Sequence, residues 1–446
     1  MYAKVRRSAA LFAGLTLSIF FPAAIASAGP AYMDDANTRK PQVDRSVIRL
    51  QDGFPRVMVH EFIGQQSTTE YSKYMLIASK GLNYPQVEKI QNLSPQTKHL
   101  RHISGRAYQS WPYKACEISG GVAFETTTPA SQGGPKSAGC GIFAGHWLYK
   151  PGTKLRSSVN ASAQQLRVDN ASRIQQGQYV VIYDAPAGSF KNAEHARVTR
   201  VDRGSNTITV SRGYKSKPRP HPAGAIVAQH VRGQGPEALL WAYNLSSQSP
   251  RDANGRTFAE FYAQWLGKNL LRYRDGIRTS ADVAGVLFDA DFYYDLRSNG
   301  ADVNNDLILD NGVSPSGRNW QGEGLDDFYR RVKAQLPGKY VLTGHQYSRG
   351  YKSTHGSQLE VWIGYGNGDF TPNPKYKKVN EMFHRYLYNM SDRDIGPPMV
   401  IALNKTPTKQ YPGKSGSAAK DNKPFRLGLT MALMEDGYYG THSLLE

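Results

Sequence analysis

Eight short apolar runs, each closing on polar residues, constrain this chain more than any other feature. They span 57–62, 74–78, 100–103, 285–289, 340–344, 359–363, 399–403 and 437–439. Helical patterns lie between several of them, at 84–93, 258–271, 325–336, 376–390 and 425–434. Strands alternating with helices imply a parallel sheet covered on both faces. Eight such strands imply an α/β fold of the (β/α)8 TIM barrel type. A doubly wound open sheet would carry a glycine-rich phosphate loop after its first strand, and none is present.

The rhythm breaks once. From about 153 to 232 the pattern becomes short alternating strands and turns, as in 178–183, 196–201 and 207–210, with a hairpin turn expected at 202–206. This predicts a small all-β domain inserted into a barrel loop. The expected organisation is a signal peptide at 1–28, a polar segment at 29–54, the first part of the barrel at 55–152, the inserted domain at 153–232, and the second part of the barrel at 233–446.

The signal peptide rests on Lys4, Arg6 and Arg7, an apolar stretch broken by Pro22, and the small-residue site Ala26-Ser27-Ala28. Cleavage there implies a secreted or periplasmic protein with no transmembrane segment left. It also leaves a net charge of +16, from 52 Lys or Arg against 36 Asp or Glu. Such a charge attracts anionic polymers, an anionic polysaccharide among them. The basic residues are scattered and match no nucleic-acid-binding signature, so no nucleic acid is expected. Cys116 and Cys140 bracket a Gly- and Ser-rich stretch, and an oxidising compartment would join them in a disulfide. Two cysteines exclude a four-cysteine zinc site.

Two carboxylates stand out. Asp289 ends the buried-strand pattern Gly285-Val286-Leu287-Phe288, and Glu360 lies inside Leu359-Glu360-Val361-Trp362-Ile363. An unpaired carboxylate inside an apolar run is costly, so Glu360 must be paired, protonated or facing a cavity. In a barrel, residues ending the fourth and sixth strands can face each other across the mouth. A carboxylate pair there supplies the acid and the nucleophile or base that cleave a glycosidic bond. Polar ends on the other strands would bind sugar hydroxyls: His60, Glu61, Asp291, His345, Asn404 and Asp436. His146, Trp147, Trp241, Asn244 and Trp362 add aromatic and polar contacts for a sugar ring. Asp302, Asn304, Asp306 and Asp310 follow the spacing of a calcium loop and could hold a structural calcium; no cofactor is required. Leu307 replaces the glycine of such loops, and Val313 stands where a bidentate glutamate is usual. No H-E-x-x-H or G-x-S-x-G motif is present.

The runs at 285–289, 302–312, 320–325, 359–362 and 426–439 together resemble the hypothetical glycosyl hydrolase family 15 barrels, distantly similar to α-galactosidase-like glycoside hydrolases. That resemblance implies a nucleophile at the fourth strand, Asp289, and an acid/base at the sixth, Glu360. The expected function is a secreted, monomeric glycoside hydrolase acting on a polysaccharide. The alternative is a non-catalytic carbohydrate-binding barrel of the cell envelope, which needs no carboxylate pair.

Overall fold

Three parallel strands open the chain: β1 (Val57–Glu61), β2 (Leu76–Ser79) and β3 (Lys98–Ser104). Short strands follow at β4 (Ala107–Gln109), β5 (Val122–Ala123) and β6 (Cys140–Ile142). An antiparallel group comes next: β7 (Thr153–Lys154), β8 (Gln165–Arg167), β9 (Tyr179–Asp184), β10 (Lys191–Asp202), β11 (Thr207–Arg212) and β12 (Ile226–Gln229). After β13 (Leu240–Ala242), the parallel strands resume with β14 (Val283–Asp289), β15 (Tyr340–Thr343), β16 (Gly356–Glu360), β17 (Met399–Lys405) and β18 (Tyr438–His442). This is a computed structural model describing residues 56–61, 66–79, 82–104, 107–109, 122–123, 140–214, 217–231, 240–269, 283–289, 300–343, 353–360, 386–387, 399–405, 428–430, 432–434 and 437–442.

A strand forms at or beside each of the eight expected runs, the sixth at 356–360 where 359–363 was expected, and the eight pair in chain order. The ring runs β1-β2-β3-β14-β15-β16-β17-β18 and returns from β18 to β1, parallel throughout. Met58, Leu76, Ala78, Leu100, Leu287, Leu342 and Tyr438 fill its interior as one apolar cluster. The alternate residues point outward beneath helices. Val59 and Ile77 meet Val87 and Ile90 of α2, while Ile103, Val286, Phe288 and Val341 pack against α3 and α4.

The helices are α1 (Thr68–Tyr71), α2 (Tyr84–Leu93), α3 (Phe258–Asn269) and α4 (Trp320–Gln335). Asn83 starts α2 with a capping box: its side chain accepts the Gln86 N–H at 2.9 Å and the Gln86 side chain accepts its own N–H at 2.9 Å. The apolar spacing placed α4 at 325–336, but it begins five residues earlier. Asn319 caps it by accepting the Gly322 N–H at 2.9 Å. Two glycines in the first turn are poor helix formers. Gly324 is needed because the helix backbone lies against the carbonyl of Leu245, where a Cβ would collide. The helix expected at 376–390 lies outside the described residues except at 386–387, and that at 425–434 is described only in part.

The antiparallel strands pair in the order β7-β12-β9-β10-β11-β8. Their edges meet as well: Leu155 bridges Val168, the Arg156 N–H donates to the Arg167 carbonyl at 2.9 Å, and Asp169 donates to Lys154 at 2.9 Å. The sheet therefore curls into a small barrel around Leu166, Val180, Ile182, Ala196, Val198, Ile208, Val210 and Val227. Its hairpin turns at Asp202–Asn206 as expected, with Asp202 accepting the Gly204 and Ser205 amides at 3.0 and 3.2 Å and Asn206 at φ 52°. The outer face of β9 and β12, through Val181, Tyr183, Ile226 and Ala228, joins the same apolar cluster as α3 and α4. The two barrels thus share a core. Among the described residues, no helix is long and apolar enough to cross a membrane.

Candidate active site

In a parallel ring all strand C-termini point the same way. Glu61, Ser79, Ser104, Asp289, Thr343, Glu360, Lys405 and His442 therefore stand at one rim. Below that rim the interior turns polar. His60 and His102 are both buried, and His60 Nε2 lies 3.3 Å from His102 Nδ1 with the rings edge to face at 4.4 Å. They belong to β1 and β3, and β2 runs between them. Ala78, paired in register with His60 and Leu100, is an interior residue of that strand.

The register fixes the heights of the remaining strand ends. Stepping from His60 to Ala78, Leu100, Gly285 and Tyr340, and onward at each later pair's register, returns to β1 at position 52, eight residues early. Equal height is therefore kept by advancing one residue per strand. Phe288 pairs with Thr343 and Thr343 with Ser357, so Asp289 corresponds in register to position 358 on β16. Two strands of advance put its equal-height position at Glu360. The same construction from Glu360, through Leu403 and Gly440, arrives at His442. Asp289 shares the parity of interior Leu287, and Glu360 that of Gly356, the register partner of interior Leu342. Positions 289, 360 and 442 thus form one layer on alternate strands, with the His60–His102 layer next to it.

The outward face of β3 is polar too. The Ser79 hydroxyl lies 3.2 Å from His99 Nε2, and Arg101 donates to the Leu82 carbonyl while stacking 5.3 Å over the Tyr84 ring. Burial, and then the neighbouring Arg101 charge, lower the His99 pKa to about 3.

Several other expected contacts turn out to be core. Trp147 and Trp241 are fully buried, with their rings 5.5 Å apart, and His230 stacks on Trp241 at 3.6 Å. His146 is buried and donates from Nε2 to the Arg256 carbonyl at 3.0 Å; burial lowers its pKa to about 4. Asn244 is buried and donates to the Val303 carbonyl at 2.7 Å. None of these four presents a surface to a sugar, because each fills the apolar seam that the two barrels share or braces the loop after it. Glu61 and Asn404 sit at the ends of β1 and β17, Asn404 paired in register with Thr441. Asp291, His345, Trp362, Asp436 and Cys116 lie outside the described residues, so the expected Cys116–Cys140 disulfide does too.

The acidic loop directs its carboxylates at its own backbone. Asp302 accepts the Asp306 and Leu307 amides at 3.1 and 2.8 Å, Asp306 accepts Ile308 at 2.8 Å, and Asp310 accepts Gly312 at 2.7 Å. Asn304 donates to Asp306 at 2.9 Å. Burial, opposed by those amides and reinforced by the charges of Asp306 and Asp310, raises the Asp302 pKa to about 7. Among the described residues, no three metal-binding side chains converge here or elsewhere. Leu307 does take the glycine-like conformation, at φ 75°.

The buried histidines give a pH dependence. His99, His146 and His230 all have lowered pKa values in the folded chain, chiefly through burial. Their stabilisation is complete above ~6.5, the unfolded value, and is lost as pH falls toward the folded values. Asp302, raised to about 7, acts in the opposite sense by taking up a proton on folding. Asp310, which burial also raises, acts in the same sense as Asp302, and three histidines against these two aspartates predict a net loss of stability between about pH 7.5 and about pH 5.5. Urea titrations at the two pH values measure it, and equal midpoints would contradict it.

No family model and no curated protein matches this chain. Among solved structures, the chain is similar to the glycoside hydrolase domain of PelA from Pseudomonas aeruginosa, at 10% identity and a TM-score of 0.38, over 87% of this chain and 95% of that one. A variant of the same domain gives 9% identity, the same TM-score and the same coverage. The Gp54 tailspike of Acinetobacter baumannii bacteriophage AP22, in complex with capsular saccharide, matches 39% of this chain and 20% of its own at 15% identity and a TM-score of 0.16.

Proposed function

We propose that this chain is a secreted glycoside hydrolase built on a (β/α)8 barrel, with an inserted β domain at 153–232, that cleaves a polysaccharide with Asp289 and Glu360. The eight-residue stagger of the ring supports the barrel reading, since it matches the shear of that fold. The observation that carries the chemistry is the equal height of positions 289 and 360, two strands apart on one rim and of interior parity. Two strand spacings set the backbones ~10 Å apart. Carboxyl groups reaching inward from there enter the range of about 5–9.5 Å that glycosidases use. One acid protonates the leaving oxygen while the other attacks the anomeric carbon or activates water. The buried His60–His102 pair forms the floor on which that layer rests. The test is a panel of polysaccharides incubated with the purified mature chain. New reducing ends on at least one polymer are expected, and none on any would leave a binding barrel instead.

A further inference from the structure

The small barrel is the most basic part of the chain. Residues 153–232 contain thirteen Lys or Arg against four Asp or Glu, a net +9. Some of these charges are structural. Arg212 is held by buried Glu194, Arg173 donates to the Gly152 and Leu307 carbonyls, and Arg156 pairs with Asp169 at 3.4 Å. Others are left open. Arg167, Arg197 and Arg203 are exposed and form no ion pair among the described residues, and Arg200 is exposed with Asp202 as its acidic neighbour. Asp202 in turn is occupied by the amides of its own turn.

The ladder registers set these residues on one outer face. Tyr179 pairs with Arg197 and Arg197 with Ser211; Arg200 pairs with Thr209 and Thr209 with Gln165; Asp202 pairs with Thr207 and Thr207 with Arg167. A bulge between Val198 and Arg200 lets Thr199 join them, exposed and donating to the Thr209 carbonyl at 3.1 Å. The opposite residues of these strands, Leu166, Val198, Ile208 and Val210, fill the small barrel. Half-buried Tyr179 and Tyr214, with ring centroids 4.3 Å apart, border the face at one end. The result is a row of guanidinium groups interleaved with hydroxyls and one carboxamide, ending in an aromatic pair. The chain enters this barrel after leaving β3 at the rim, so the face belongs to a rim connection.

We propose that this face binds an acidic polysaccharide, a linear chain of sugars bearing carboxylates. A guanidinium fork matches a carboxylate bidentately. Same-face residues lie ~7 Å apart along a strand and ~5 Å apart between strands, so successive arginines of the row, Arg197 to Arg200 and Arg200 to Arg167, are separated by roughly 7–12 Å and its two ends by roughly 17 Å. That spacing fits about one charge per sugar or two, and is far sparser than the phosphate array of a duplex, with one charge per ~1.7 Å. The hydroxyls between them complement sugar hydroxyls, and the tyrosine pair offers a stacking surface. The inference rests on the polysaccharide reading above and names the substrate class, yet it is measured without catalysis.

The test compares the full mature chain with R167T/R197T/R200T, whose threonines suit exposed strands. Affinity electrophoresis uses gels containing polygalacturonate or neutral dextran, with single-stranded DNA as a competitor. Retardation of the wild type by polygalacturonate but not dextran is expected, with affinity lowered about tenfold in the variant and the thermal melt unchanged. Equal retardation of both proteins, none by polygalacturonate, or displacement by DNA at a lower charge concentration than free polygalacturonate would each overturn the proposal. A chain that binds polygalacturonate through this face but releases no reducing ends from any polymer keeps the face and loses the hydrolase reading.

Discussion

Glu360→Gln and Asp289→Asn are each expected to lower kcat on the polysaccharide by about 10²–10⁴-fold, the contribution of a positioned proton donor or nucleophile. Both replacements keep the side chain's shape and remove its charge, so thermal unfolding stays at the wild-type temperature. The two variants should also differ from each other. Protonation is dispensable only when the leaving oxygen is already a good leaving group, whereas the water that hydrolyses the glycosyl-enzyme still needs the base. On an aryl glycoside with an acidic phenol, E360Q should therefore recover the first step, seen as a burst of released phenol and a near wild-type kcat/KM, while D289N should show neither, because the attack on the anomeric carbon is still missing. If D289N is the variant that recovers, the roles implied for the two strand ends are reversed. If either variant keeps wild-type kcat on the polymer, that residue has no part in the chemistry. His442, in the same layer by register, is a third position to examine once these two are measured.

The ring was legible because its strands are short apolar runs that a helix or a turn interrupts; seven appear where the pattern put them, and the sixth, expected at 359–363, is described three residues earlier, at 356–360. The small barrel was legible from alternation: Val180, Ile182, Ala196, Val198, Ile208 and Val210 face its centre on every second residue. The interior polar layer was less so. His102 lies in an ordinary strand sequence, Leu100-Arg101-His102-Ile103, and only the pairing of β1, β2 and β3 brings it against His60. Trp147 and Trp241 misled for a related reason. Polar neighbours such as His146 and Asn244 made them look like a sugar platform, but those neighbours satisfy backbone carbonyls of Arg256 and Val303 inside the seam between the barrels. Aromatic side chains next to polar ones do not reveal which way the seam closes. That depends on the packing of α3 and α4 against β9 and β12, which no local pattern contains.

The largest loss of stability should come from Arg212→Met, a change at a position that alternation alone does not flag. Glu194 and Arg212 point into the small barrel, since Glu194 pairs in register with Ile182 and Arg212 with Ala196, both of the interior cluster. Their side chains are almost wholly buried, 0% and 4% exposed, and meet at 2.6 Å. The other Glu194 oxygen accepts the Arg219 amide at 2.6 Å, with His221 3.9 Å away, and His221 is in turn 2.8 Å from Asp184. Burial alone would raise the Glu194 pKa, but His221, Arg212 and the Arg219 amide hold it below its ordinary value. R212M leaves that carboxylate buried without its cation, at a cost of about 3–5 kcal/mol. The usual remedy for a broken buried pair is to remove the second charge, which in many proteins restores stability. Here E194M/R212M should recover only part of the loss. The Arg212 guanidinium also donates to the carbonyls of Asn160, Ala163 and Arg219, in exposed or half-buried chain, and each of those bonds lost costs about 0.5–1.5 kcal/mol. Those bonds tie the 160–163 turn and the proline-rich 217–222 segment over one end of the barrel. Urea unfolding of the three proteins measures the energies, and hydrogen exchange at the amides of Val159 and His221, which pair with each other's carbonyls at 2.8 and 2.9 Å, reports whether that end has opened. Full recovery in the double variant would show that the ion pair matters and the carbonyl contacts do not. A wild-type midpoint for R212M would remove the pair from the stability of the small barrel altogether.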